Sequence, residues 1–399
     1  MTDIRDYLKA KERREQNQEH YKAKIRRHRL TAFYRVLLVA LALGILVVVV
    51  WLQHKNHIYT EYEIVRTLER ESAGGATQIR LGDAVLTYSK DGAHCTNLKG
   101  ETLWNQTYEM QDILLAVCGD VLAIGEDNGR NIYVQSSKEK IGSFSANMPI
   151  RNLAVSAAGK TAVVMADTDS AYLKIYSPEG EGLGEGEATM EQSGYPLALS
   201  LSPNGELMAV SYLYLDAGIQ KTHIAFYNLG EVGGNFTDCL VSAYHYSDLF
   251  VPTVIFADDD TAFAVGDSRL MFYQGSQQPK SAGEFLFSGR EVRSVFYSDK
   301  YVGLVFYSTQ GEHLYEMEVY GMNAKRIGSY GFDTEYTDIF FEKDSFVIYN
   351  ETECMIITLE GIVKYQGSFH KPVRLMLPAG LPYQYQLLTS RSADTIRLK

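Results

Sequence analysis

Short β-branched and aromatic runs separated by turn residues recur about every forty residues from Thr77 onward. That period constrains the fold more than any single motif in the chain. The first set reads AVLTYS, AHCTNL and ETLWNQ, with turns at Asp91-Gly92 and Lys99-Gly100. The second contains ILLAVCG, DVLAIGE, RNIYVQS and IGSFSA, and the fourth turns at Pro203-Asn204-Gly205 before ELMAVSYLY. Seven such sets follow one another, and the chain then closes with only three strands, VRLMLPAG, YQYQLLTS and DTIRLK. Four-stranded units of this length suit the blades of a β-propeller, which must join its ends or leave strand edges open. Residues 59–68, ahead of the first set, alternate in part, with Tyr62, Ile64 and Arg66 on one face, and can supply the missing strand. The expected fold is therefore all-β: an eight-bladed β-propeller over 77–399, closed by a strand from a neck at 55–76. A seven-bladed ring with the neck strand outside it is the alternative. The abundance of strand-favouring aromatics, 28 Tyr and 17 Phe, agrees with either.

Ahead of the neck runs VLLVALALGILVVVVWL, residues 36–52, apolar apart from a single glycine. At ~1.5 Å per residue this is roughly 26 Å of helix, close to the hydrocarbon thickness of a bilayer. A transmembrane helix is expected at 36–54. Residues 1–35 hold eleven Lys/Arg against five acids, whereas 36–399 carry a net charge of −17. Lys and Arg flanking a span stay on the cytoplasmic side. The tail at 1–35 is thus expected in the cytoplasm and the propeller outside, on a single-pass plasma-membrane protein. Trp51-Leu52-Gln53-His54-Lys55 offers no small-x-small cleavage site, so an uncleaved signal anchor is expected rather than a signal peptide. Residues 3–30 lack Pro and Gly and read as helix, either meeting anionic headgroups or a cytoplasmic partner, or serving only as a solvated topology signal. An acidic domain of −17 excludes nucleic acid as a partner.

The stretch VLTYSKDGAHCTNLKGETLWNQ resembles a blade of the quinoprotein-type or outer-membrane-assembly-type propellers, where a turn glycine precedes a Leu-Trp pair. LSLSPNGELMAVSY resembles a WD-like or TolB-like blade. The whole layout resembles an uncharacterised family of single-span membrane propellers of Gram-positive anaerobes. These are blade motifs, and they imply a fold rather than an activity. The quinoprotein likeness implies repeated docking tryptophans and a vicinal disulfide beside the cofactor. This chain has two Trp, one of them Trp51, and no adjacent cysteines, so no cofactor is expected.

Motifs that carry chemistry are sparse. No GxSxG elbow, HExxH, Walker loop or GxGxxG occurs. Cys95, Cys118, Cys239 and Cys354 show no metal spacing; they read as isolated apolar residues, with a Cys95–Cys118 disulfide as the alternative. His94, His223, His245, His313 and His370 are assigned to five different blades, which disfavours a metal site. Asp167 with Asp169, and Asp258-Asp259-Asp260, suit calcium by chemistry and turns by position. The segment 238–251, DCLVSAYHYSDLFV, carries Tyr244, His245, Tyr246 and Phe250 between the fourth and fifth blades. It reads either as a partner-contact loop or as an outer strand whose aromatics pack between blades. The expected function is a membrane-tethered binding or scaffold module for an envelope protein or a cell-wall glycan, without catalytic, cofactor or metal residues. The alternative is a hydrolase or lyase of envelope polysaccharide, which requires carboxylates and a histidine converging at the mouth of the central channel.

Overall fold

A computed structural model describes residues 57–70, 75–167, 170–189, 193–309 and 311–399, together with 33–35, 37–47 and a few isolated positions before residue 57. The chain forms two units, Met1–Ile58 and Tyr59–Lys399. In the first, 33–35 and 37–47 are helical. Among the described residues no helix is long and apolar enough to cross a membrane. Of the span expected at 36–54, residues 36, 48 and 50–54 lie outside the described residues, as does most of the helix expected at 3–30.

The second unit is an eight-bladed propeller in which every blade is a four-stranded antiparallel sheet. Within a blade we letter the strands a to d from the axis outward. Strands run in sequence order through seven blades, at 77–107, 113–145, 150–189, 195–246, 253–286, 292–332 and 338–368. The eighth is composite. Leu375–Pro378, Gln384–Leu388 and Ser392–Leu398 supply its a, b and c strands, and Tyr62–Glu69 pairs antiparallel with Ser392–Leu398 as its d strand. The ring is thus eight blades closed by the neck strand, and the seven-bladed alternative does not hold.

The strand patterns follow from position in the ring. The b strands are covered on both faces by neighbouring blades, so they read as continuous apolar runs; Thr261–Val265, TAFAV, is buried throughout. Within that run Ala262 and Ala264 face blade four while Phe263 and Val265 face blade six, and the alternation of small and large side chains lets adjacent sheets interdigitate. The d strands form the rim. Gly182–Thr189 is exposed except at its C-terminal end, and Glu185 and Glu187 leave a charged edge that resists pairing with another chain. Close approach between blades fixes some residues outright. A side chain at Gly142, on the d strand of blade two, would collide with the Pro178 carbonyl of blade three.

Closure is more than a strand pairing. The Tyr59 amide donates to the Lys364 carbonyl of blade seven (2.8 Å), and the Thr60 amide to the Lys399 carbonyl (2.9 Å). Tyr59, Ile396 and Leu398 share a buried cluster with Tyr349, Ile356 and Tyr365 of blade seven. On the other side Gln386 Nε2 donates to the Leu98 carbonyl of blade one (2.8 Å). The partial alternation expected of the neck strand is broken by a bulge at Val65: Ile64 opposes Ile396, but Arg66 already opposes Thr395.

A chain starting at residue 57 is expected to retain the unfolding transition of the full protein. One starting at residue 76 is expected to melt roughly 10 °C lower or to self-associate through the uncovered edge of Ser392–Leu398. Calorimetry with size-exclusion chromatography checks this, and equal melting temperatures would contradict it.

Candidate functional site

Two rims bound the ring. The a–b and c–d turns lie on one, where the chain also enters at Tyr59; the b–c turns and the connections between blades lie on the other.

Of the two readings of segment 238–251, the structure takes the outer strand. Leu240–Tyr246 is the d strand of blade four, so it is not an open contact loop. Alternation then sends its side chains to opposite faces. Tyr244 and Tyr246 turn toward blade five: the Tyr244 hydroxyl donates to the Pro279 carbonyl (3.1 Å) and accepts from the Ser281 amide (3.1 Å). The Tyr246 and Tyr273 hydroxyls meet at 2.6 Å. His245 turns to the other face. Phe250 lies half-buried in the following connection, its carbonyl accepting from the Asp267 amide (2.9 Å). The four residues therefore do not form one patch.

His223 and His245 are not in separate blades, as their sequence positions imply; they oppose each other across neighbouring strands of blade four, with ring centroids 5.2 Å apart. His223 stacks on Tyr212 at 4.8 Å, and Tyr214 meets its edge at 5.6 Å. The Tyr212 hydroxyl is engaged with that of Tyr227 (2.8 Å). Burial, and then repulsion from His245, push the His223 imidazole down to about 4. Among the described residues no cluster of His, Cys, Asp and Glu suits a metal ion.

The cysteines stand apart. The Cys95 thiol donates to the Ser137 carbonyl (3.4 Å), and burial pushes it up to about 11; Cys354, buried in blade seven, is pushed up to about 12. Cys118 is partly buried and free, so the Cys95–Cys118 disulfide is not formed. Asp258 and Asp259 act as turn residues. Asp258 Oδ1 accepts from the amides of Asp260 (2.8 Å) and Thr261 (2.6 Å), and Asp259 Oδ1 accepts from the Asn204 amide (2.7 Å) of blade four. Asp169 lies outside the described residues.

At the a–b mouth of the channel, burial raises the Cys118 thiol of blade two, with Asp259 and Asp120 adding to the rise against a backbone hydrogen bond from Ala157 that lowers it. Tyr297 leans against Phe263, centroids 5.6 Å apart. Carboxylates gather here, yet no histidine lies in any of the eight a–b turns.

The opposite rim of blades six and seven carries a more specific arrangement, which sequence reasoning missed. Arg293 sits where the pairing of the a strand slips between Val292 and Ser294. Its guanidinium lies 4.9 Å from the Tyr307 ring centroid, 5.2 Å from Tyr315 and 5.8 Å from Tyr336, and it donates to the Tyr307 hydroxyl. Ser294 Oγ and the Tyr336 hydroxyl are 2.8 Å apart. Beside them Asp338 accepts from the Ile339 amide (2.8 Å), and burial raises its carboxyl above the ordinary range. Tyr315 and Phe332 form the buried floor, whereas Arg293, Tyr307 and Leu314 are exposed. The exposed and buried members come from four strands and one connection, so no linear motif announces them.

The fold is a β-propeller similar to that of WD40 domains. The C-terminal WD40 domain of Sif2 superposes with a TM-score of 0.53 at 8% identity, covering 86% of this chain and 99% of that one. Sqt1 of Chaetomium thermophilum, in a structure bound to the N-terminus of ribosomal protein L10, gives 0.49 at 10% identity, covering 86% and 97%. At such identities the likeness concerns the fold alone. Residues 55–398 match a family of unknown function, DUF5711, and the chain belongs to that family. No curated protein sequence matches the chain.

Because the folded state resists protonating His223, the unfolded chain binds that proton first as pH falls below ~6.5. Stability contributed by neutral His223 is complete above that value and is lost progressively toward about 4. A His223→Gln variant is expected to lose less melting temperature than the wild type between pH 6.5 and 4. Parallel slopes in thermal scans would contradict this.

Proposed function

We propose that this protein is a binding module, held at the cytoplasmic membrane by residues 36–54 with its propeller outside, that captures a protein partner on the b–c rim of blades six and seven. The observation that carries the proposal is Arg293 set among Tyr307, Tyr315 and Tyr336, with Leu314 and Tyr307 exposed beside it. Tyr and Arg are enriched among the residues that dominate protein contacts, and Tyr buries a large area at small entropic cost. Here the packed floor and the Ser294–Tyr336 hydrogen bond pre-order the group, which lowers the cost of binding. A rigid ring with an ordered, exposed aromatic–guanidinium patch supports a scaffold. The apolar run and the +6 tail support the tether and its orientation.

A photo-crosslinking residue at position 307 in intact cells is expected to capture a discrete protein, whereas the same residue at Leu183, on the rim of blade three, is not. Arg293→Ala is expected to cut the yield by about tenfold or more while leaving the melting temperature within a few degrees. Equal yields from positions 307 and 183, or from wild type and Arg293→Ala, would contradict the proposal. A membrane-impermeant amine reagent added to those cells should label the exposed propeller residue Lys138; no labelling would refute the outward orientation.

A further inference from the structure

Residues 59–399 carry 26 Lys/Arg against 44 Asp/Glu, yet the charge is not evenly spread. From 364 to 399 there are six Lys/Arg and one acid, Asp394. Lys364 belongs to blade seven, and the neck adds Arg66 and Arg70 against Glu61, Glu63 and Glu69. Residues 59–70 and 371–399, the eighth blade and its flanks, thus carry seven Lys/Arg against four acids and form a basic sector of an acidic ring. At its b–c rim the end of the neck strand meets the Thr389–Ser392 turn and the connection from blade seven. Together they enclose an open groove of about 1080 Å³, lined among others by Arg70, Lys371, Arg391, Thr67, Ser390 and Glu69.

The three cations are held differently. Arg70 donates through Nη2 to Thr96 Oγ1 of blade one (2.7 Å), which fixes its guanidinium at the seam. Lys371 is half-exposed and donates to Asp394 Oδ2 (3.1 Å), a carboxylate buried behind it. Asp394 thereby positions the ammonium while leaving its other donors toward the groove. Arg391 is exposed and, among the described residues, forms no ion pair. Glu69, directly opposite Ser392 in the sheet, is the acid among the described residues that line the groove. Two guanidiniums and an ammonium beside the exposed hydroxyls of Thr67 and Ser390 make a donor set for phosphate oxygens, which accept bidentate guanidinium bonds and hydroxyl bonds alike. The volume exceeds what one phosphate ion fills and matches the scale of a multi-group ligand.

We propose that this groove, whose described lining has no aromatic side chain on which a base could stack, binds a water-soluble polymer of polyol units linked by phosphodiesters. The ligand would touch both ends of the ring, Thr67–Arg70 from the N-terminal side and Thr389–Ser392 from the C-terminal side, so binding stabilises closure. This site is separate from the aromatic rim of blades six and seven.

The test uses the full-length chain in a neutral detergent, with binding read by calorimetric titration and by melting temperature. The probes are poly(glycerol phosphate) of about six units, sized to the groove, inorganic phosphate, and dihexanoyl phosphatidylglycerol below its micelle concentration. The expected result is saturable polymer binding that weakens with salt, exceeds that of inorganic phosphate, and raises the melting temperature. Arg391→Gln and Lys371→Gln should each weaken it by about tenfold, and Glu69→Gln should strengthen it. Lys138→Gln, on blade two, should leave it unchanged. Affinity unaltered in an Arg391→Gln, Lys371→Gln double variant would overturn the assignment. Binding of the phosphatidylglycerol probe alone would also overturn it, by marking a lipid headgroup site instead of a polymer site.

Discussion

The antiparallel pairing of Tyr62–Glu69 with Ser392–Leu398 is the interaction on which the rest of this structure depends. Seven blades are continuous in sequence and can form from local contacts between successive strands. The eighth cannot, because its outer strand is more than three hundred residues from its neighbour. Without it the c strand of blade eight would expose a full row of backbone donors and acceptors. The ends of the ring are also where side-chain contacts between distant segments concentrate, in the Tyr59–Ile396–Leu398 cluster and in the Gln386 bond to blade one.

Much of this was legible in the sequence because a blade has a strong local signature. Turn glycines, β-branched runs and a forty-residue period locate strands, and a deficit of one strand at the C-terminus predicts where the neck must go. What was not legible depended on register. The bulge at Val65 shifts by one residue which neck side chains oppose which partners, and no composition signal marks it. Reading 238–251 as loop or strand decided whether Tyr244, His245, Tyr246 and Phe250 could share a surface. As a strand it divides them between two faces and brings His245 beside His223. Arg293 looks unremarkable in the sequence because its aromatic neighbours arrive from residues 307, 315 and 336.

Electrostatics gives the two rim sites different characters. Among the described residues Arg293 forms no ion pair; exposed and flanked by three tyrosine rings, it is suited to packing against another surface. Around Arg391 the cations border an open groove, in a basic sector of an otherwise acidic ring. A ring with long-range negative potential repels polyanions everywhere except at such a sector, and this focuses binding there. The excess of Lys and Arg after residue 364 was visible in the sequence, but its meaning emerges only when the ring brings Arg70 alongside.

Backbone hydrogen exchange, followed by mass spectrometry on the full-length chain, tests the central claim most directly. If the neck strand closes the ring, the amides of residues 62–69 that pair with Ser392–Leu398 will be protected to the same degree as those of 392–398, and both will open together. Exchange of 62–69 at the rate of unstructured chain, while 392–398 remains protected, would show that the ring closes without the neck strand and would contradict the account.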